Sequence, residues 1–368
     1  MRPGMQSLLD LVRGSLPQRA LDEPEFAALL QAAEEENILL WAADRLRLLD
    51  VGFTAERRQR LEEIHRNAEF AAFAWTQSLK GILAAFHGAG LCVIALKGPC
   101  LAERLYGNAA LRTCHDLDLL VRRSDLAAAE RLLTELGFQP NGLRDDYHRP
   151  WSRQALNLEL HHNVENPHAF EFDLDAAWSR ATPAEFHGAP VWLFAPSDEL
   201  LYLCLHAVRH RFERLSLILD LALAFRRLAP SAAAPEWGEP VFDNILALGW
   251  MMAVRLDPGT PAQATMHSSP RNRKRLEHLA DRLWQELMRA QPETLDWATQ
   301  HRFYLEIETP GWDRFARRWR HQRILATRLI DDDFVFASRF NLHRSWQVWL
   351  LRPVRLLLKT LRPSPRML

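Results

Sequence analysis

Apolar residues recur every three or four positions through the first ninety residues: Leu8, Leu9 and Val12, then Phe26, Leu29 and Leu30, then Leu39, Leu40 and Trp41. That spacing belongs to helices burying one stripe, and Pro17 and Pro24 punctuate them. A longer helix is predicted over 55–87, with Leu61, Ile64, Phe70, Phe73, Leu79, Ile82 and Phe86 on one side and Gly88 and Gly90 as its stop. The period then changes. Residues 91–96 (LCVIAL) form a continuous apolar run, 116–121 (DLDLLV) a second, and 156–161 (LNLELH) alternate strictly. In the last, Leu156, Leu158 and Leu160 share one face of a strand while Asn157, Glu159 and His161 share the other. A helix over 126–136 separates the second and third runs, with Ser124 as N-cap, Asp125 at its positive end and Gly137 closing it.

Further along, 191–194 read as a short strand, and Pro196-Ser197-Asp198-Glu199 opens a helix with acidic first-turn residues. The signal weakens over 230–269, where Pro, Ala and Gly clusters, Pro258-Gly259 and Ser268-Ser269-Pro270 mark loops. Residues 271–288 form a helix rich in Arg and Leu. The last part is basic and tryptophan-rich: Trp346 and Trp349 stand beside Arg352, Arg355, Lys359, Arg362 and Arg366. Such a helix can rest on an anionic membrane surface or a partner, although Pro353 breaks it and tryptophans at helical spacing are more often buried.

Composition narrows the class. A chain of 368 residues that is 48% hydrophobic buries substantial cores, and 46 basic against 46 acidic side chains leave no overall field for a polynucleotide. No apolar run approaches the roughly 18 residues of a membrane span, and Asp10 and Arg13 interrupt the first apolar stretch, which argues against a cleaved secretory leader. Cys92, Cys100, Cys114 and Cys204 make no paired framework, so a cytoplasmic protein with reduced thiols is expected.

Candidate chemistry gathers where the period changes. Asp116 and Asp118, two apart on an extended segment, point one way while Leu117, Leu119 and Val121 pack behind them. A lone Asp-x-Asp more often solubilises an edge strand, but three features favour a cage for a hard divalent cation. The pair lies in an apolar run where unpaired charge is costly. Lys97-Gly98-Pro99 follows the preceding run, where a glycine lets backbone approach a phosphate and Pro99 suits a first helical position. Glu159, on a strand laid beside 116–121, would add a third carboxylate, with His161 on its face and His162 pointing into the packing behind. Asp173 and Asp175 rank lower because 176–178 turn helical and no anion-binding turn precedes them. His206 and His210 share a helix face. Lacking a third ligand at a telling spacing, they suit a core or surface role first, substrate contact next and zinc last. Arg209 and Arg211 flank them and could face phosphates, though such arginines are more often solvated.

Together, Leu96-Lys97-Gly98, the Leu101-x-x-x-Leu105-Tyr106 spacing, Arg112, DLDLLV at 116–121, a helix ending in Leu136-Gly137-Phe138 and the Glu159-x-His161 strand resemble the bacterial nucleotidyltransferase family of the polymerase-beta-like superfamily. The resemblance covers about 94–214 and includes the helical stretch LYLCLHAVRHRFERLSLILDLA. It departs in one place: where the superfamily usually has Gly-Ser or Gly-Gly, the turn is Lys97-Gly98-Pro99, with no serine hydroxyl beside the phosphates.

The resemblance implies an α+β fold, a small mixed sheet with flanking helices, embedded between a helical N-terminal region (1–90) and a helical C-terminal region (196–368), with catalysis in 91–195. It implies transfer of a nucleoside monophosphate from an NTP to a hydroxyl on a small molecule, peptide or protein, with release of pyrophosphate. Asp116, Asp118 and Glu159 would hold two Mg²⁺ ions, Glu159 would also help remove the acceptor's proton, and Lys97 and Gly98 would steady the phosphates. Arg112 would face the phosphates too, or form a structural ion pair with a core carboxylate. The alternative is a catalytically silent nucleotide-binding or scaffold protein of the same fold.

Overall fold

The computed structural model describes residues 2–16, 21–49, 53–142, 147–165, 170–231, 237, 240–261, 270–289 and 297–308, with a few isolated positions beyond 339. Pro17, the Ser268-Ser269 loop, Trp346 and the basic residues Arg352, Arg355, Lys359, Arg362 and Arg366 lie outside the described residues. Residues Met1–Thr309 make one compact unit and Pro310–Leu368 a second. Among the described residues, no helix is long and apolar enough to cross a membrane.

The first unit opens with α1 (Met5–Val12), α2 (Glu23–Glu35) and α3 (Leu39–Leu48), as the three-to-four residue spacing predicts. Asp22 and Glu25 close a reciprocal capping box that sets the start of α2. Thr54 accepts the Arg57 N–H and starts α4 (Ala55–Gly88), one residue longer than its pattern predicts. Its buried stripe is Leu61, Ala68, Thr76, Leu79, Ile82, Leu83 and Phe86, whereas Phe70 and Phe73, expected on that stripe, are 77% and 64% exposed. Their angular positions on the helix fall outside the stripe that the sheet covers.

The sheet strands follow. β1 (Val93–Ala95) leads into α5 (Gly98–Tyr106), then come β2 (Leu117–Val121), α6 (Leu126–Glu135), β3 (Gln139–Pro140), β4 (His148–Arg153) and β5 (Leu156–His161). Ser124 does not cap α6: residues 123–125 form a tight 3-10 turn, and the Ser124 hydroxyl bonds the Asp125 carboxylate at 3.1 Å instead. After α7 (Leu174–Arg180), β6 (Thr182–Phe186) and β7 (Ala189–Leu193) make a hairpin that joins the sheet alongside β1. The order is β3-β4-β5-β2-β1-β7-β6, with β1 antiparallel to β2 but parallel to β7, and β2 parallel to β5. This seven-stranded mixed sheet is flanked by helical layers on both of its faces.

Alternation along the strands sorts the two cores. Val93, Ala95, Leu117, Leu119, Val121, Leu158 and Leu160 pack with Leu79, Ile82, Leu83 and Phe86 of α4 and Leu126, Ala129 and Leu133 of α6. Ile94, Leu96 and Leu120, on the opposite face, join a larger core with α1, α2, α3, α5, α8 (Pro196–Arg209), α9 (Leu215–Leu228), α10 (Val241–Leu256) and α11 (Pro270–Arg289). α12 (Trp297–Ile307) adds Phe303 and Ile307 to it. The stretch over 230–269, where the sequence signal weakens, contains a full helix, α10. The helix over 271–288 is present as α11.

Candidate active site

β1 feeds directly into the Lys97-Gly98 corner. Leu96 N–H donates to the Asp118 carbonyl at 2.9 Å, which pins the corner beside β2. Gly98 has φ +69°, and a Cβ there would meet Leu117 Cδ2 at 3.4 Å. A residue with a side chain pays about 1–2 kcal/mol for that left-handed backbone, so glycine is what lets the chain turn over the start of β2 into α5.

The parallel register of β2 and β5 aligns Asp118 with Glu159 and Leu120 with His161. Leu158 and Leu160 turn into the core beneath α4 and α6, which leaves Glu159 and His161 on the face that carries Asp118. Asp118 Oδ1 receives Lys97 Nζ at 2.9 Å and His161 Nε2 at 3.2 Å. The same His161 nitrogen lies 3.2 Å from Glu159 Oε2, and Glu159 Oε1 lies 3.6 Å from His148 Nε2. Asp118 Oδ2 is buried without a hydrogen-bond partner. Asp118, Glu159 and His161 each turn one ligand atom toward the others, all within 4.8 Å, a donor set able to hold a metal ion.

Asp116 sits in the bend just before β2, half-buried, and is not one of those three. It lines a cleft of about 230 Å³ together with Lys97 and Asp118. The expected convergence thus takes the form of Asp118 and Glu159 side by side, with His161 between them and Asp116 at the rim.

Charges set the protonation states. Burial alone would raise Asp118, but Lys97 and His161 hold its carboxyl well below the usual range. For His161, burial works to lower the imidazole, and the bonds to Asp118 and Glu159 outweigh it, so its pKa is raised. Burial pushes Glu159 up, yet its bond to His161 leaves it lowered. Asp116 is raised by burial and by the Asp118 charge beside it. Lys97 and His161 therefore counter the charge of Asp118, and His161 also that of Glu159.

Arg112 lines the cleft and is ion-paired there. Its guanidinium grips Asp220 of α9 at 2.9 and 3.1 Å, and the Tyr106 hydroxyl donates to the same carboxylate at 2.6 Å. It lines the cleft wall, but in the structural ion pair with a core carboxylate that the sequence left open as its second role. Arg209 donates to His206 Nδ1 at 2.9 Å and lies over the Tyr147 ring, and Arg211 bonds Glu286 at 3.0 Å. His206 and His210 stack edge-on at 4.8 Å and both line the cleft. Burial and the positive charges of Lys97 and Arg209 push His206 well below its ordinary value, so it is neutral. His162 is buried, and Asp173 caps α7 by accepting the Ala176 N–H at 2.9 Å.

Sequence reasoning missed one wall altogether. Asn37 and Ile38, from the α2–α3 turn, line the same cleft beside Ser216 and Leu217 of α9. Asn37 takes a left-handed φ of 59°, a conformation asparagine tolerates, but nothing local says that this turn meets residues nearly two hundred positions away.

A family model described as an uncharacterised nucleotidyltransferase matches residues 22–250. No curated protein and no solved structure matches the chain. The matched span starts at the cap of α2, takes in the whole sheet with the Lys97 corner and the Asp118, Glu159 and His161 group, and ends within α10. Covering well over half of 368 residues and every side chain of the cleft, it leaves one conclusion: the chain belongs to this nucleotidyltransferase family.

Proposed function

We propose that the protein transfers a nucleoside monophosphate from an NTP to a hydroxyl acceptor in the cleft, with Mg²⁺ as cofactor. The observation that carries this reading is the shared register of Asp118 and Glu159 beside the Lys97-Gly98 corner. Two carboxylates next to an anion-binding turn suit a metal that bridges phosphates.

The donor set fits such an ion: Asp118 and Glu159 offer oxygens within 4.8 Å of one another, and the buried Asp118 Oδ2 has no other partner. Asp118 and Glu159, with Asp116 at the rim, would hold two ions. When bound, they supply the positive charge that neutralises the triphosphate and the departing pyrophosphate. Lys97 exchanges its bond to Asp118 for phosphate oxygens, and the Gly98 backbone comes close to them because no side chain intervenes. Glu159, ionised at neutral pH, takes the proton of the acceptor hydroxyl. The acceptor oxygen then bonds to the α-phosphorus as the bond to the bridging oxygen breaks, and pyrophosphate leaves with that oxygen. The acceptor is a small molecule, a peptide or a protein, and the balance of 46 basic and 46 acidic residues disfavours a nucleic acid. Four free thiols suit work in a reducing cytoplasm.

One observation favours the binding-only alternative: Asp118 Oδ1 is occupied by both Lys97 and His161, so the site is already partly neutralised without metal. Incubation with each α-³²P-labelled NTP, Mg²⁺ and cell extract separates the two. The transferase labels an acceptor, and Asp118→Ala or Glu159→Gln lowers labelling by about 10²–10³-fold or more. Equal labelling by wild type and variants ends the transferase reading. Stabilisation by Mg²⁺ and NTP without any labelling favours the binding protein.

A further inference from the structure

The cleft does not end at the metal-binding carboxylates. Its far wall is formed by the α2–α3 turn and the first residues of α9. Three contacts clamp these together: the buried Glu36 carboxylate, which also pairs with Arg2, accepts the Leu215 N–H at 2.6 Å, the Glu36 carbonyl accepts the Ser216 N–H at 3.2 Å, and Arg214 bonds the Glu35 carbonyl. The wall is thus built, not incidental. Ile38 and Leu217 line it as apolar residues, and Asn37 and Ser216 as uncharged polar ones. No described side chain or backbone group engages the Asn37 amide or the Ser216 hydroxyl. The charged residues nearby are engaged elsewhere: Arg112 pairs with Asp220, Glu213 lies 3.4 Å from His210 Nδ1, and Arg214 donates to the Glu35 backbone carbonyl.

The same cleft therefore combines two kinds of lining. Lys97, Asp116 and Asp118 are charged and suit phosphates and metal. Ile38, Leu217, Asn37 and Ser216 are uncharged, and the last two carry unused hydrogen-bonding groups, which suits an uncharged heterocycle. From this we infer that the Asn37 wall is the nucleobase subsite, and that the Asn37 amide makes the enzyme prefer adenine. An asparagine amide offers one donor and one acceptor side by side, the complement of adenine's amino group and adjacent ring nitrogen. The inference rests on the nucleotide reading above and gives the N-terminal helices a part in substrate choice.

The left-handed backbone of Asn37 supplies clean variants. Asn37→Gly keeps that conformation without strain and deletes the amide, and Asn37→Asp keeps the shape but removes the donor. Binding of ATP, GTP, CTP, UTP and inorganic tripolyphosphate to the full chain is measured by calorimetry with Mg²⁺. Wild type binds ATP about tenfold more tightly than the other nucleotides and than tripolyphosphate. Asn37→Gly brings all four nucleotides within about twofold of each other and leaves tripolyphosphate unchanged, and Asn37→Asp weakens ATP about tenfold. The base subsite is overturned if ATP binds wild type no better than tripolyphosphate, or if both variants keep the wild-type ranking. It is equally overturned if Asn37→Gly spares every nucleotide affinity but abolishes acceptor labelling, since the wall then serves the acceptor. These results leave the nucleotide reading standing. Failure of both ATP and tripolyphosphate to bind, unaltered by Asp118→Ala, removes that reading and the subsite with it.

Discussion

One oxygen of Asp118 serves two cations, Lys97 and His161, in a side chain with no solvent exposure. Removing its charge strands both. Asp118→Asn is expected to lose about 3–5 kcal/mol in denaturant unfolding, the cost of leaving buried charge uncompensated. Glu159, 29% exposed and bonded to the same imidazole, costs less when changed to Gln, about 1–2 kcal/mol. The pH dependence follows from the direction of each shift. The His161 pKa is raised by folding, so its contribution is complete below the unfolded value near 6.5 and drains away as pH rises through the elevated folded value. The Asp118 pKa is depressed, so its contribution is present above about 3.9 and disappears only as pH falls through the folded value. Stability of the protein in chelator is expected to fall as pH climbs above about 6.5, and His161→Gln flattens that slope. Asp118 and Glu159 were legible in the sequence because strand alternation assigns their faces, and Lys97 because the Lys97-Gly98-Pro99 turn follows an apolar run. The partner of Arg112 was not, since Asp220 lies 108 positions away and only the docking of α9 brings it there.

Two elements hold the carboxylates in place, and each has a weak point that can be measured. In the turn into α5, Gly98→Ala forces a left-handed backbone on a side chain that touches Leu117, and about 1–2 kcal/mol of stability should be lost with a matching fall in Mg²⁺-dependent nucleotide binding. In β5, Leu160 is fully buried between the two residues that carry Glu159 and His161, and Leu160→Ala should cost about 2–5 kcal/mol by thermal or denaturant unfolding. Elements with one clear period were readable: α4, α6, β2 and β5 fall within a residue or two of their patterns. α10 was not. Val241, Phe242, Ile245, Leu246, Leu248, Met251 and Met252 are buried around most of its circumference, so no polar face marks a period. β6 carries Pro183 and lies at the sheet edge, where proline is tolerated, and this hid it from a strand pattern. The parallel pairing of β2 with β5 was equally invisible, because alternation assigns faces and says nothing of direction.

At the scale of the molecule, the sheet, the N-terminal helices and α8 to α11 share one continuous core, so the cleft is lined by residues from positions 37 to 220. The single most consequential tie is Glu36 to Leu215. Burial raises the Glu36 carboxyl against the pull of the Leu215 N–H and Arg2, which is the mark of a group held in place at some cost. Glu36→Ala should lose about 1–3 kcal/mol in unfolding, from orphaning the buried Leu215 N–H, and should weaken ATP binding more than tripolyphosphate binding.

That tie spans 179 residues of chain. A ribosome releases the first three helices long before residue 215 exists, so during synthesis they wait with Phe26, Leu29 and Trp41 lacking their later neighbours. Closure of so long a loop comes late in folding. Newly made chains should accordingly depend on chaperones until α9 emerges, and the cleft should be the last part of the protein to form.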